Sequence, residues 1–166
     1  MDIRIDASSF EAIVDAWAKI PEVTRAEMLA AVTEADHLLE REVKERTPTA
    51  VGAGGGLRGS IASDEQAHSD RVIGMVGSPL NYAVPVELGT RPHFPPLQPL
   101  EDWVRAKLDV PDAQVRNVAF LIARKISKVG TQGAHMFEEA FDATADQVEK
   151  IFSLGVQRIT EQMASA

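Results

Sequence analysis

Within seven residues the chain supplies a carboxylate, a hydroxyl, a cation and a possible general base: Glu87, Thr90, Arg91 and His93. A small hydrolase could use Glu87 and His93 together, because a carboxylate and an imidazole can share proton transfer. The alternative is structural: Glu87 accepts hydrogen bonds from nearby backbone or an arginine, Gly89 takes a turn with positive φ, and Thr90 caps it. We favour the structural interpretation, because the sequence shows no nucleophile elbow, carboxylate pair or lid signature elsewhere.

Other patterns that commonly carry chemistry are missing from the sequence. The four histidines, at positions 37, 68, 93 and 135, show no HExxH or comparable metal-ligand spacing. The glycine-rich run at 52–59 ends in Leu57-Arg58, whereas a phosphate-binding loop ends in Lys followed by Ser or Thr. There is no cysteine, which excludes disulfides and thiolate chemistry. We therefore expect no catalytic residue, metal or cofactor, and we expect that the protein is not an enzyme.

The composition is that of one ordinary folded domain over residues 1–166. Hydrophobic residues make up 45% and charged residues 25% of the chain, which fits neither a disordered nor a membrane protein. No apolar run approaches the roughly 20 residues of a membrane span. The first residues lack the order of a signal peptide. We expect a soluble chain that stays where it is made.

The charge distribution argues against tight binding of nucleic acid. The formal net charge is −8, and acids outnumber bases by 11 to 6 over residues 1–50, by 4 to 3 over 51–100 and by 10 to 8 over 101–166. Tight binding requires clustered Lys and Arg that neutralise phosphates, and no basic face stands out from these counts. An acidic surface past which DNA slides without sticking is compatible with the sequence.

Hydrophobic spacing predicts an α+β fold with long helices towards both ends of the chain. The alternation of Ile3 and Ile5 predicts a short strand or an extended arm over residues 1–6. Helical spacing predicts helices over residues 9–19, 22–46, 100–108, 115–129 and 135–163. The last would measure about 40 Å at 1.5 Å per residue. It is expected either to pack along helix 22–46 or to leave part of its apolar face for another subunit.

The middle of the chain predicts a small antiparallel sheet and two irregular segments. Strands are expected at 59–63 and 71–78, with a polar hairpin connection over 64–70. The glycines of residues 51–59 predict a flexible loop. Four prolines within residues 89–99 predict an extended, partly polyproline segment.

Two segments also carry a recognisable order of residues. Pro48 is followed by GLRGSI at 56–61, residues 82–91 read YAVPVELGTR, and Pro96, Leu97, Leu100 and Trp103 come later. This ordered set resembles the tail-completion family of lambda-like siphophages, also described as minor tail or head–tail joining proteins. The resemblance covers about residues 45–130. The chain departs from the family pattern in the inserted run 49–55 and at Pro85, where a bulky residue is more usual.

The resemblance implies a virion protein that forms a ring at the neck, completing the tail or joining it to the head. The implied partners are further copies, with six the favoured number, neighbouring head-connector and tail proteins, and genomic DNA that passes through the lumen without tight binding. No membrane is implied, and the protein would reside in the host cytoplasm until assembly. A tail terminator or head-completion protein of the same particle is the alternative. The expected structural or interface residues are Arg58, Tyr82, Glu87, Gly89, Thr90, Arg91, Phe94 and Trp103.

Among these residues, Glu87 is expected to be a structural anchor with Arg58 as its partner. Val86 and Leu88 should be partly buried, so a carboxylate between them needs an outward direction or a compensating donor. The planar guanidinium of Arg58 offers such a donor, because it can hold a carboxylate with two hydrogen bonds.

We predict that the purified protein binds duplex DNA no better than a generic acidic protein at physiological salt, because attraction requires clustered cations that the sequence does not show. Titration of labelled duplex at several salt concentrations measures this affinity. Sub-micromolar binding with a steep salt dependence would contradict the prediction.

Overall fold

The structure, a computed structural model, describes residues 3–5, 22–49 and 56–165. The chain divides into two compact units: unit 1 comprises Met1–Arg46, Ile61–Pro79 and Met136–Ala166, and unit 2 comprises Thr47–Ser60 and Leu80–His135. The predicted helix 9–19, residues 51–55 of the glycine run and most of the arm 1–6 lie outside the described residues. The single domain stays a prediction, because compactness alone does not show whether either unit folds independently.

The described elements confirm the predicted α+β class. In chain order they are β1 (Ile3–Ile5), α1 (Glu22–Arg46), α2 (Gly56–Ser60), β2 (Ala62–Ala67), β3 (Val72–Gly77), α3 (Ala83–Leu88), β4 (Gly89–Thr90), α4 (Leu97–Lys107), α5 (Asp112–Val129), β5 (Thr131–Gln132) and α6 (Met136–Ser165). Helix α1 has the predicted bounds, whereas α4 and α5 each begin three residues earlier than expected.

Helix α1 forms because its apolar residues recur on one face. All five residues of the predicted stripe are buried: Met28, Val32, Ala35, Leu39 and Val43. The helix ends at Arg46, since Thr47 precedes Pro48 and is therefore pushed away from helical backbone angles.

Helix α6 packs along α1 in unit 1, although its Phe141 stays exposed. Phe152 and Ile159 of α6 are buried in one cluster with Met28, Ala31 and Val32 of α1. Across the same pair of helices the guanidinium Nε of Arg158 donates to Glu27 Oε2 at 2.9 Å. The first of the two arrangements expected for this long helix is therefore the one found.

Unit 1 also contains a three-stranded antiparallel sheet in the order β1-β3-β2. The predicted strand 71–78 is confirmed as β3, and its predicted antiparallel partner is confirmed as β2, but the bounds 59–63 expected for that partner are wrong. Residues 56–60 form α2, and β2 begins at Ala62 and continues through the polar residues assigned to the connection. The turn itself is short, with the His68 amide donating to the Arg71 carbonyl at 2.7 Å. Residues 62–67 form a strand because they pair with β3, and a strand with one face in solvent accepts polar side chains.

The end of the glycine run is ordered, contrary to the expectation of a flexible loop over 51–59. Leu57 is buried, and the Ser60 hydroxyl donates to the Leu57 carbonyl at 2.8 Å. One buried leucine is enough to anchor the short helix α2 against its unit.

A carboxyl group is buried where α1 meets the sheet. Asp36 is 0% exposed, and neither of its oxygens has a hydrogen-bond partner among the described residues. Gly74 of β3 lies against it so closely that a Cβ there would overlap the carboxyl. Glu65 pairs with Gly74 in the sheet register. Burial, followed by the charge of Glu65, raises the pKa of Asp36 to about 7, and the nearby Met75 amide, which does not reach hydrogen-bond geometry, offsets only part of the rise.

We predict that Asp36→Asn flattens the dependence of stability on pH. Because folded Asp36 holds its proton more tightly than the unfolded chain does, its contribution favours folding at acid pH and is lost as pH rises from 3.8 through about 7. Above that pH range, the ionised Asp36 lowers the free energy of unfolding by about 4 kcal/mol at most. Urea unfolding of both proteins across this pH range measures the change, with Asp64→Asn on exposed β2 as the control. Equal slopes for wild type and Asp36→Asn would contradict it.

Candidate interaction site

The residues singled out from the sequence all belong to unit 2, and several meet where α3 ends. Helix α3 begins after a turn in which the Ala83 amide donates to the Leu80 carbonyl at 2.9 Å. The Val86 amide then donates to the Tyr82 carbonyl at 3.1 Å. Pro85 fits the first turn of this helix, because amides there need no intrahelical acceptor. Proline at position 85, where a bulky residue is more usual in the family pattern, is therefore compatible with the local backbone.

Glu87 points into unit 2 and not towards solvent. Ala83 and Glu87 lie one helical turn apart and are both buried, with Glu87 0% exposed. Leu88, expected to be partly buried, is 60% exposed. The expected pairing with Arg58 is wrong: Arg58 is exposed, and none of the ion pairs within the described ranges joins the two residues. The helical face of α3 buries Glu87, which alternation along the sequence did not reveal.

The carbonyl groups at the end of α3 are satisfied by a segment far along the chain. The Ala134 amide donates to the Val86 carbonyl at 2.8 Å, and the His135 amide donates to the Glu87 carbonyl at 3.1 Å. The last carbonyl groups of a helix have no amide partner within the helix, and these two bonds supply one for each. They bring residues 130–135 against the end of α3.

Beyond α3 the chain enters a two-stranded sheet that requires glycine on both sides. Gly89 pairs with Gln132 and Thr90 with Thr131. Gly89 has φ 79° and Gly130 has φ 73°, in the left-handed region that other residues rarely adopt. A Cβ at Gly89 would overlap the Thr131 carbonyl oxygen, and one at Gly130 would overlap the Thr90 carbonyl oxygen. The expected positive φ at Gly89 is confirmed.

Thr90 and Thr131 lock this pairing with their side chains. The Thr90 amide donates to Thr131 Oγ1 at 3.1 Å, and the Thr131 amide donates to Thr90 Oγ1 at 3.2 Å. The two hydroxyl oxygens lie 2.9 Å apart. Thr90 therefore binds the opposite strand, where the sequence suggested that it caps its own turn.

The extended segment expected over 89–99 is shorter than predicted. Residues 91–96 are free of helix and sheet, but 89–90 form β4 and Leu97–Pro99 begin α4, because proline is tolerated in the first turn of a helix. Residues 91–96 carry exposed aromatic and basic groups. His93 Nδ1 lies 2.9 Å from the Arg91 carbonyl oxygen. Phe94 stacks obliquely on Phe120 of α5, with centroids 6.1 Å apart, and both rings are about half exposed. On α4, Trp103 is exposed while Val104 packs into the core between α4 and α5. The site residues Arg91, Phe94 and Trp103 thus face solvent.

Sequence reasoning missed one feature of unit 2, a run of cations on the solvent side of α5. Helix α5 carries four bases and one acid, and its exposed side presents what is called here the cationic face: Arg116, Phe120, Leu121, Arg124, Lys125 and Lys128. The conclusion that no basic face stands out is wrong for this helix. It failed because charges counted over residues 101–166 average basic α5 with acidic α6. Counting each predicted helix separately would have found it.

The geometry gives little support to acid–base chemistry at Glu87 and His93. Glu87 is 0% exposed, so its carboxylate offers no access to a substrate in this arrangement, and the His93 ring is held by backbone. In the described ranges no group of three or more His, Asp or Glu side chains is placed to hold a metal ion. No helix in the described part of the chain is long and apolar enough to cross a membrane.

Comparison with family models, with curated proteins and with solved structures found no match to this chain.

We predict that Gly89→Ala destabilises unit 2 by at least about 1–2 kcal/mol, because alanine at this φ is strained and its Cβ displaces the Thr131 carbonyl. Denaturant unfolding followed by circular dichroism measures the loss. Gly59→Ala, at an exposed position of α2, is the matched control and should be neutral or slightly stabilising. Equal effects of the two substitutions would show that the left-handed backbone at Gly89 has no special cost.

Proposed function

We propose that this chain is a structural virion protein of a tailed phage or prophage, whose copies form a ring at the neck that completes the tail, joins it to the head, or both. The observation that carries the proposal is the concentration of exposed apolar side chains in unit 2: Tyr82, Val84, Leu88, Phe94, Trp103, Leu108, Phe120, Leu121 and Val129. Unit 1, the larger of the two, exposes Leu29, Phe141 and Leu154 among its described large hydrophobic residues.

Such a concentration favours a surface that partners cover. Exposed hydrophobic residues scattered singly are common, but adjacent ones mark interaction sites. Phe94 and Phe120 touch each other, and Leu121 follows on the same exposed side of α5. Aromatic residues in such positions are typical of interface centres, where their rings are buried on binding.

Three residues of the segment that resembles the tail-completion family have a clear structural task. Glu87 is buried, Gly89 supplies a left-handed turn, and Thr90 bonds to the opposite strand. These residues build a rigid scaffold, and the exposed Leu88 and Phe94 are presented from it. A scaffold of buried polar and glycine residues with apolar groups on its surface is what an assembling subunit needs, since ordered interfaces bind at lower entropic cost.

Deletion of the gene from its own phage or prophage, followed by electron microscopy of the lysate, tests the proposal. We expect filled heads and tails that remain separate, and no infectious particles. A complementing copy with Leu88→Ser and Phe94→Ser should restore few joined particles, because both substitutions remove exposed apolar contacts. The control copy carries Leu154→Ser, which removes an exposed leucine from unit 1.

Two other outcomes would count against this role. Tails of uncontrolled length in the deletion would assign the protein to tail termination, since a terminator stops growth of the tube. Normal yields of infectious particles would overturn a virion function altogether.

A further inference from the structure

Charge is distributed unequally between the units and is concentrated on two helices. Unit 1 contains 20 acids and 9 bases, whereas unit 2 contains 5 acids and 8 bases. The surplus base in unit 2 lies mainly on the cationic face of α5. In unit 1 the first half of α6 has an acidic face, defined here as Glu139, Asp142, Asp146 and Glu149.

The charges of each helix are grouped to different degrees. On α5, Arg124 and Lys128 lie four residues apart and share one side, with Lys125 next to Arg124, whereas Arg116 lies about two turns earlier and is displaced around the helix axis. On α6, successive acids of the acidic face follow at intervals of three, four and three residues, which also keeps them on one side. At 1.5 Å per residue, the cationic face is about 18 Å long and the acidic face about 15 Å long. Their lengths match.

Neither set of charges is neutralised by a salt bridge within residues 3–5, 22–49 and 56–165. All eight charged side chains are exposed, and none takes part in an ion pair among the described residues. Helix dipoles account for Lys128 in the last turn of α5, but not for Arg116 or for Asp146 and Glu149 in the interior of α6.

Apolar groups accompany the charges on both helices. Phe120 and Leu121 are exposed within the cationic face, and Phe141 is exposed near the acidic face of α6. Exposed ion pairs alone bind weakly, whereas charges that surround buried aromatic rings give both orientation and adhesion. Each helix thus has the composition of an interface.

We propose that the cationic face of α5 in one copy binds the acidic face of α6 in a second copy. The two faces are different surfaces, so the contact is head to tail and can repeat until a ring closes. This inference rests on the proposed function in one respect: the contact is the one that would build the proposed ring.

The second copy is favoured over nucleic acid as the occupant of the cationic face. Phosphates would meet four bases on α5, but the whole chain has a net charge of −8 and repels a polyanion. A second copy brings four exposed carboxylates to the same cations. It also brings the exposed ring of Phe141.

Charge reversal of each face, with sedimentation of the purified full chain as the readout, tests the contact. The first variant reverses the cationic face with R124E, K125E and K128E. The second reverses the acidic face with D142K, D146K and E149K. Arg71→Glu, in an exposed pair with Asp70 on unit 1, is the control.

Wild type and Arg71→Glu should self-associate at low salt and dissociate as salt is raised, because screening shortens the range of charge attraction to about 10 Å or less. Each reversed variant alone should sediment as a monomer, since like charges then face each other. An equal mixture of the two should associate again, because every contact in an alternating assembly pairs opposite charges. Recovery in the mixture also shows that both variants are folded.

Three outcomes would overturn the contact: monomeric wild type at low salt, association of either variant alone as strong as wild type, or a mixture that stays monomeric. Tight binding of duplex DNA by wild type that is lost in the first variant would assign the cationic face to nucleic acid. If the protein self-associates as expected but deletion of its gene leaves infectious particles intact, the contact is supported and the proposed function is contradicted.

Discussion

Unit 1 depends on the burial of one face of α1, because the sheet and α6 both pack against that helix. Met28, Val32, Leu39 and Val43 are all buried there, and each such side chain contributes about 1.5–3 kcal/mol of burial free energy. Their sum exceeds the cost of about 4 kcal/mol that comes with an ionised Asp36 on the same helix. The fold therefore tolerates a buried carboxyl whose own contribution opposes folding at neutral pH.

Unit 2 combines an apolar core between α4 and α5 with backbone contacts between distant segments. The end of α3 is held by amides of Ala134 and His135, and β4 is held to β5 through Thr90 and Thr131. Close approach of these backbones needs glycine at 89 and 130. Large apolar side chains such as Leu88 and Phe94 remain on the surface, where a partner could bury them.

The separation of charge has a consequence for assembly. A net charge of −8 keeps copies apart at long range, but the cations of α5 and the acids of α6 attract each other at short range. Association of this kind is favoured in one relative orientation, since any other brings like charges together. Orientation by charge would suit the proposed ring, whose subunits would add in one direction.

The sequence by itself determined the long helices, the burial of the α1 stripe, the left-handed turn at Gly89 and the extended segment after Arg91, because periodicity, glycine and proline act locally. Only the tertiary structure decided that β2 is a strand, since its polar residues are strand-like only when paired with β3. Contacts between distant segments also decided that Thr90 bonds to Thr131 and that Glu87 is buried without Arg58. The cationic face of α5 was within reach of the sequence, because its bases lie in a predicted helix, and only the exposure of these bases was decided by the fold.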